Sequence, residues 1–82
     1  MPYHHQNIIQ KFGSDGNLER TWVLPRAVDE PLRPHVMMSD DGNIMMGWVV
    51  TEEIAPILQP WVDEPIDLAS GEWHISCDGY WD

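Results

Sequence analysis

The sequence predicts an α+β fold, mainly β, with about four antiparallel strands in one sheet and one short helix before the last strand. Three observations carry this expectation. Residues 72–78 alternate, with Trp73, Ile75 and Cys77 on one side and Glu72, His74, Ser76 and Asp78 on the other. Ile54, Ile57, Leu58 and Trp61 fall at i, i+3, i+4 and i+7, which is one face of a helix. Two turn clusters, Gly13-Ser-Asp-Gly-Asn17 and Ser39-Asp-Asp-Gly-Asn43, separate apolar runs as hairpin loops do.

The elements follow in order. Residues 1–6 read as an end outside the sheet. The neighbouring His4 and His5 would point to opposite sides there, so they predict no metal site. Residues 7–12 form a first strand through Ile8, Ile9 and Phe12. Residues 18–24 form the second, with Leu18, Arg20, Trp22 and Leu24 on one face and Glu19, Thr21 and Val23 on the other. The next ten residues, 25–34, hold three of the seven prolines and read as an irregular connector. Residues 35–38 start a strand. Residues 44–50 alternate little, which predicts a central, well-covered strand in which Met45 and Met46 fill core gaps. Thr51 is the expected helix cap, and Glu52 and Glu53 sit where the helix dipole favours negative charge. Pro60 ends regular helix near Gln59.

The totals bound the function. Eighty-two residues make one domain, residues 1–82. A chain of this size buries about 60–65% of its unfolded surface, and five Trp help to fill so small a core. The net charge of −10 repels phosphate backbones, so direct nucleic-acid binding is not expected; it attracts a basic protein and speeds that encounter. One cysteine gives no internal disulfide. The first residues show no basic segment followed by an apolar run, and no apolar stretch approaches the ~20 residues that span a bilayer. A cytoplasmic protein without membrane contact is the expectation.

No catalytic constellation assembles. Cys77 falls in the inward set, as a buried thiol, and His74 lies on the opposite side. The pairs Asp40–Asp41 and Glu52–Glu53 sit on a turn and a helix start, where solvation and capping account for them. No phosphate loop, Cys-x-x-Cys pair or nucleophile elbow is present. We expect no enzyme, no cofactor and no metal.

From the helix to the last strand, Glu53, Pro56, Leu58-Gln59-Pro60, Trp61, Ile66-Asp67, Glu72, Trp73, Ser76 and Asp78 follow in an order and spacing that resemble the immunity proteins of cloacin and the ribonuclease-type colicins. The closing Gly79-Tyr80-Trp81-Asp82 is similar to that family's acidic, aromatic tail, though shorter. The likeness covers residues 47–82. It implies a small acidic protein with a four-stranded antiparallel sheet and a short helix. Such a protein binds the basic C-terminal ribosomal RNase domain of a bacteriocin and keeps it from the ribosome by bulk and negative charge. It implies a toxin contact at His74, where the family has an aromatic residue, and a specificity position at Gly47. Met45 and Val49 share the Gly47 face if that face is outward. Glu72, Ser76 and Asp78 join His74 on the outward side of the last strand, and Glu19 is a further candidate on the hairpin. A neutral His74 packed against a partner would make binding sensitive to pH. The expected partner is thus a cognate RNase toxin, from a bacteriocin or a contact-dependent system, met by a monomer or weak dimer. A second class of reading is an acidic phage-type inhibitor that mimics nucleic acid and blocks a DNA- or RNA-handling enzyme. It predicts carboxylates along a groove-like track, whereas here the charges interleave with Trp and Met.

Overall fold

One four-stranded antiparallel sheet, in the order β2-β1-β4-β3, organises the chain. The computed structural model describes residues 3–40 and 42–81. The strands are β1 (Tyr3–Phe12), β2 (Leu18–Leu24), β3 (Trp48–Val49) and β4 (Glu72–Trp81). Two short helices, α1 (Asp29–Leu32) and α2 (Ala55–Leu58), are each joined to a 3-10 turn, Arg26–Val28 and Gln59–Trp61 respectively. The fold is α+β and mainly β. None of these helices is long and apolar enough to cross a membrane.

The β1–β2 hairpin closes where glycine is required. Gly16 has φ +83° and donates to Gly13 O at 2.9 Å, while Asp15 Oδ1 accepts from the Asn17 amide at 3.0 Å. The sheet is then closed by long-range pairing: β1 meets β4 over its whole length, from Tyr3↔Trp81 to Phe12↔Glu72.

Strand alternation puts three rows of side chains on the inner face. They are Leu24–Asn7–Cys77, Trp22–Ile9–Ile75–Trp48 and Arg20–Lys11–Trp73. Trp22 and Trp73 stack at 5.4 Å. Against these rows pack Val28 and Leu32 from the connector and Ile54 and Leu58 from the α2 region, all buried. Each such aliphatic burial contributes about 1.5–3 kcal/mol. Gln59 fastens the chain beyond α2. Its amide donates to Glu64 O at 2.8 Å and accepts from the Ile66 amide at 2.9 Å. Trp73 Nε1 donates to Asp67 O at 3.3 Å, so the residues before β4 are tied to the core.

Several expectations are corrected. The connector is largely helical rather than irregular: Pro31 lies in the first turn of α1, where it removes no helical hydrogen bond, and Val28 and Leu32 plug the core. Residues 3–6 belong to β1, because the far end of β4 pairs with them. The segment 44–50 is not a central strand. Met46 takes φ +68°, which breaks the extended run, and leaves β3 as a two-residue strand at the sheet edge. Met45 and Met46 are therefore exposed, Met46 by 77%, rather than filling the core. Residues 35–38 contribute only the single bridge Met38↔Ile44. Thr51 is not the helix cap: Ile54 holds that position, Thr51 offers only its carbonyl to the Ile54 and Ala55 amides, and Glu52 and Glu53 precede the first turn of α2 rather than lying in it. Leu18 leaves the inner set: a register shift between Lys11 and Phe12 pairs Arg20 with Lys11 but Leu18 with Phe12, turning Leu18 outward, 51% exposed. Cys77 keeps its inward register but is only partly buried. Asp41 and Asp82, from the acidic turn and the tail, lie outside the described residues.

Candidate functional site

The outer face of the sheet opposes the packed layer. Among the residues whose side chains are described, register across it gives four rows: Gln6–Asp78, Val23–Ile8–Ser76, Thr21–Gln10–His74–Val49, and Leu18–Phe12–Glu72. No Lys or Arg stands in these rows. Apolar and polar groups interleave. Ile8 is only 5% exposed, although it is not part of the main core cluster, while Val23 and Val49 are each more than half exposed. At one end Phe12 and His74 meet edge to face, centroids 5.1 Å apart at 75°. His74 Nε2 lies 3.1 Å from Glu72 Oε2, and the His74 side chain is only 34% exposed.

Alternation along β4 brings His74, Glu72, Ser76 and Asp78 to this face, and pairing of Val49 with His74 adds the edge strand to it. Gly47 is exposed just before β3. A Cβ placed there would have only Ile75 O near it, at 4.0 Å, so the position is an open notch. Met45 lies outside any strand, tied to β3 by its carbonyl, which accepts from Trp48 Nε1 at 2.9 Å.

Glu19 is not brought to the group. It is the extra residue at the register shift, and its carboxylate turns to Lys11 at 3.4 Å. Sequence reasoning left Phe12, Ile8 and Gln10 unassigned to this face. Strict alternation through residues 7–12 would have placed them there, opposite Asn7, Ile9 and Lys11.

The cations are held elsewhere. Lys11 and Arg20 project from the inner face toward the loop after α2. Lys11 Nζ reaches Glu64 at 2.8 Å, and Arg20 reaches Asp63 and Glu64 at 3.0 Å each. The Lys11 ammonium also lies 5.7 Å from the Trp73 ring, and the Arg20 guanidinium 4.3 Å from that of Trp22. The indole N–H of Trp22, at 2.9 Å, and the Arg20 charge hold the Asp63 carboxyl below its ordinary range. The Lys11 ammonium does the same for Glu64, and Glu64 in turn raises Lys11. On the inner face, burial pushes the Cys77 thiol up, away from the reactive thiolate. Two of the four cationic side chains are thus spent on the covered side, and the outer face keeps Glu72 and Asp78 without a counter-charge from Lys or Arg in its rows.

A second polar cluster positions the edge of the site. Asn7 is buried in the inner set, and its amide donates to Gly42 O at 2.8 Å while its Oδ1 accepts from the Ile44 amide at 2.9 Å. It thereby holds the 39–44 turn, from which Met45, Met46 and Gly47 continue into β3. The arrangement has the composition of a docking surface for a protein: an apolar centre, a partly buried imidazole and a carboxylate rim. No protein-family model and no curated protein matches this chain.

Proposed function

We propose that the protein is an inhibitor of the immunity type, which uses the outer sheet face to bind the basic ribosomal RNase domain of a bacteriocin or contact-dependent toxin in the cytoplasm. The observation that carries this reading is the outer face itself, whose four described rows hold no Lys or Arg and are centred on His74 and flanked by Glu72 and Asp78. The four-stranded antiparallel sheet with a short helix before β4 is also what the resemblance over residues 47–82 implies.

Bound there, a monomer of net charge −10 would keep the RNase domain from the ribosome in two ways. Its bulk covers the docking surface, and its field opposes approach to ribosomal phosphates. Association with a basic domain is fast and salt-dependent, while the apolar centre sets the dissociation rate. A nucleic-acid mimic is less well supported, because the outer rows interleave two carboxylates with Ile8, Phe12, Val23 and Val49 rather than spacing charges along a track.

The test is translation in vitro, challenged with a ribosome-cleaving, colicin-type RNase domain, ideally one from the gene upstream. Protection at near-equimolar protein, weakened by His74→Ala, is the expected result. If translation were lost equally with and without the protein, the inhibitor reading would fail.

A further inference from the structure

At the end of the outer face a groove runs between the β1–β2 turn and the residues that lead into β4. Phe12, Gly13, Gly16, Gly71, Glu72 and His74 line it. At Gly71 the wall carries no side chain for a reason visible in the backbone. A Cβ on Gly71 would stand 2.5 Å from Phe12 O, so this loop abuts the end of β1. Phe12 and His74 supply aromatic surface. Glu72 is exposed, and only its Oε2 meets His74, so Oε1 is available to a donor. The nearest cation in sequence, Lys11, projects from the opposite side of the sheet and is bound to Glu64 and Glu19.

An aromatic wall beside a carboxylate in an open groove matches a flat, forked cation. A guanidinium stacks on rings and donates in parallel to a carboxylate; a compact, strongly hydrated ammonium does neither as well. We propose that this groove is an arginine-selective anchor subsite. As part of the inhibitor reading, on which this assignment to a partner rests, it seats one arginine of the basic partner.

The experiment titrates the full-length, 15N-labelled protein with N-acetyl-arginine amide, and separately with N-acetyl-lysine amide. The expected result is saturable shifts confined to Phe12, Gly13, Gly71, Glu72 and His74, stronger for arginine. Glu72→Gln should weaken arginine binding about two- to fivefold, the scale of an exposed ion pair. Unsaturable shifts spread over the acidic surface, or equal response to lysine and to Glu72→Gln, would overturn the subsite. The RNase domain of the translation assay separates the two claims. If it binds Glu72→Gln and Phe12→Ala as well as wild type, the subsite is wrong and the inhibitor reading stands. If arginine saturates the groove but the RNase domain does not bind, the subsite stands and the inhibitor reading falls.

Discussion

Replacing Asn7 with alanine removes a hydrogen-bonded clamp from the interior and tests whether the edge of the proposed interface is held as described. Asn7 is 6% exposed and bonds at once to Gly42 O (2.8 Å) and Ile44 N (2.9 Å), with a longer contact to Asp29 Oδ1 (3.4 Å). Truncation leaves the Ile44 amide and the Gly42 carbonyl without these partners, at residues that are themselves buried. An orphaned buried group costs about 1–3 kcal/mol. Two such groups would cost up to twice that, but the space vacated by the amide admits water to one of them. The expected loss is therefore about 2–4 kcal/mol. A domain of this size has a total stability of about 4–12 kcal/mol, so the loss is a large share of it. Urea unfolding followed by tryptophan fluorescence reads it directly, since Trp22 and Trp73 stack in the core. With a slope of about 1 kcal/mol/M, the midpoint should fall by about 2 M or more. A loss below about 0.5 kcal/mol would refute the clamp, because it would mean that neither group depends on Asn7.

Two further predictions concern local strain and charge. Met46 occupies φ +68°, which costs an L-residue roughly 1–2 kcal/mol; Met46→Gly removes that strain but adds chain entropy to the unfolded state. The net should be a stabilisation of about 0.5–1 kcal/mol in the same urea assay, and a destabilisation would contradict the backbone conformation. The second is acid sensitivity. Asp63 and Glu64 are held below their ordinary values of 3.8 and 4.5, by the Trp22 indole with Arg20 and by Lys11. Folded carboxylates with depressed pKa contribute stability that is present above the ordinary range and lost as the pH falls through the folded values. Stability should thus decline as the pH drops below about 5, and Glu64→Gln should flatten that decline. An identical pH profile for the variant would count against the Lys11–Glu64 link.

How far the sequence could be read depended on whether local rules were left undisturbed. Residues 72–78 alternate without interruption, and β4 lies there with the predicted faces, extended to Trp81 by its pairing with β1. The bounds of β2 coincide with the expected strand. The helical face of Ile54, Ile57, Leu58 and Trp61 is present, divided at Gln59 between an α-helix and a 3-10 turn, as Pro60 requires. Failures arose where one residue broke a period. The register shift at Glu19 turned Leu18 outward and drew the Glu19 carboxylate to Lys11. One positive φ at Met46 converted an expected central strand into a two-residue edge. Three prolines concealed α1, because a proline in the first turn of a helix looks in sequence like any other breaker. On the candidate face, His74, Glu72, Ser76 and Asp78 were legible from alternation alone. Phe12 and Gln10 obey the same alternation along β1, but Ile8, Ile9 and Phe12 put apolar groups on both sides of that strand, so its pattern does not say which side is inward.

On the proposed function, the outer sheet face, rather than negative charge at large, would recognise a basic RNase domain. Calorimetric binding of two variants with the same change in net charge tests it most directly. Gln10→Lys puts a cation beside His74 in a face whose rows contain none, while Ala27→Lys puts one in the exposed 3-10 turn of the connector. Gln10→Lys should weaken binding to the RNase domain of the translation assay at least about tenfold, the cost of an unpaired like charge in an interface, and Ala27→Lys should change it by less than about twofold. Equal losses in the two variants would contradict it, because binding would then follow total charge and not this face.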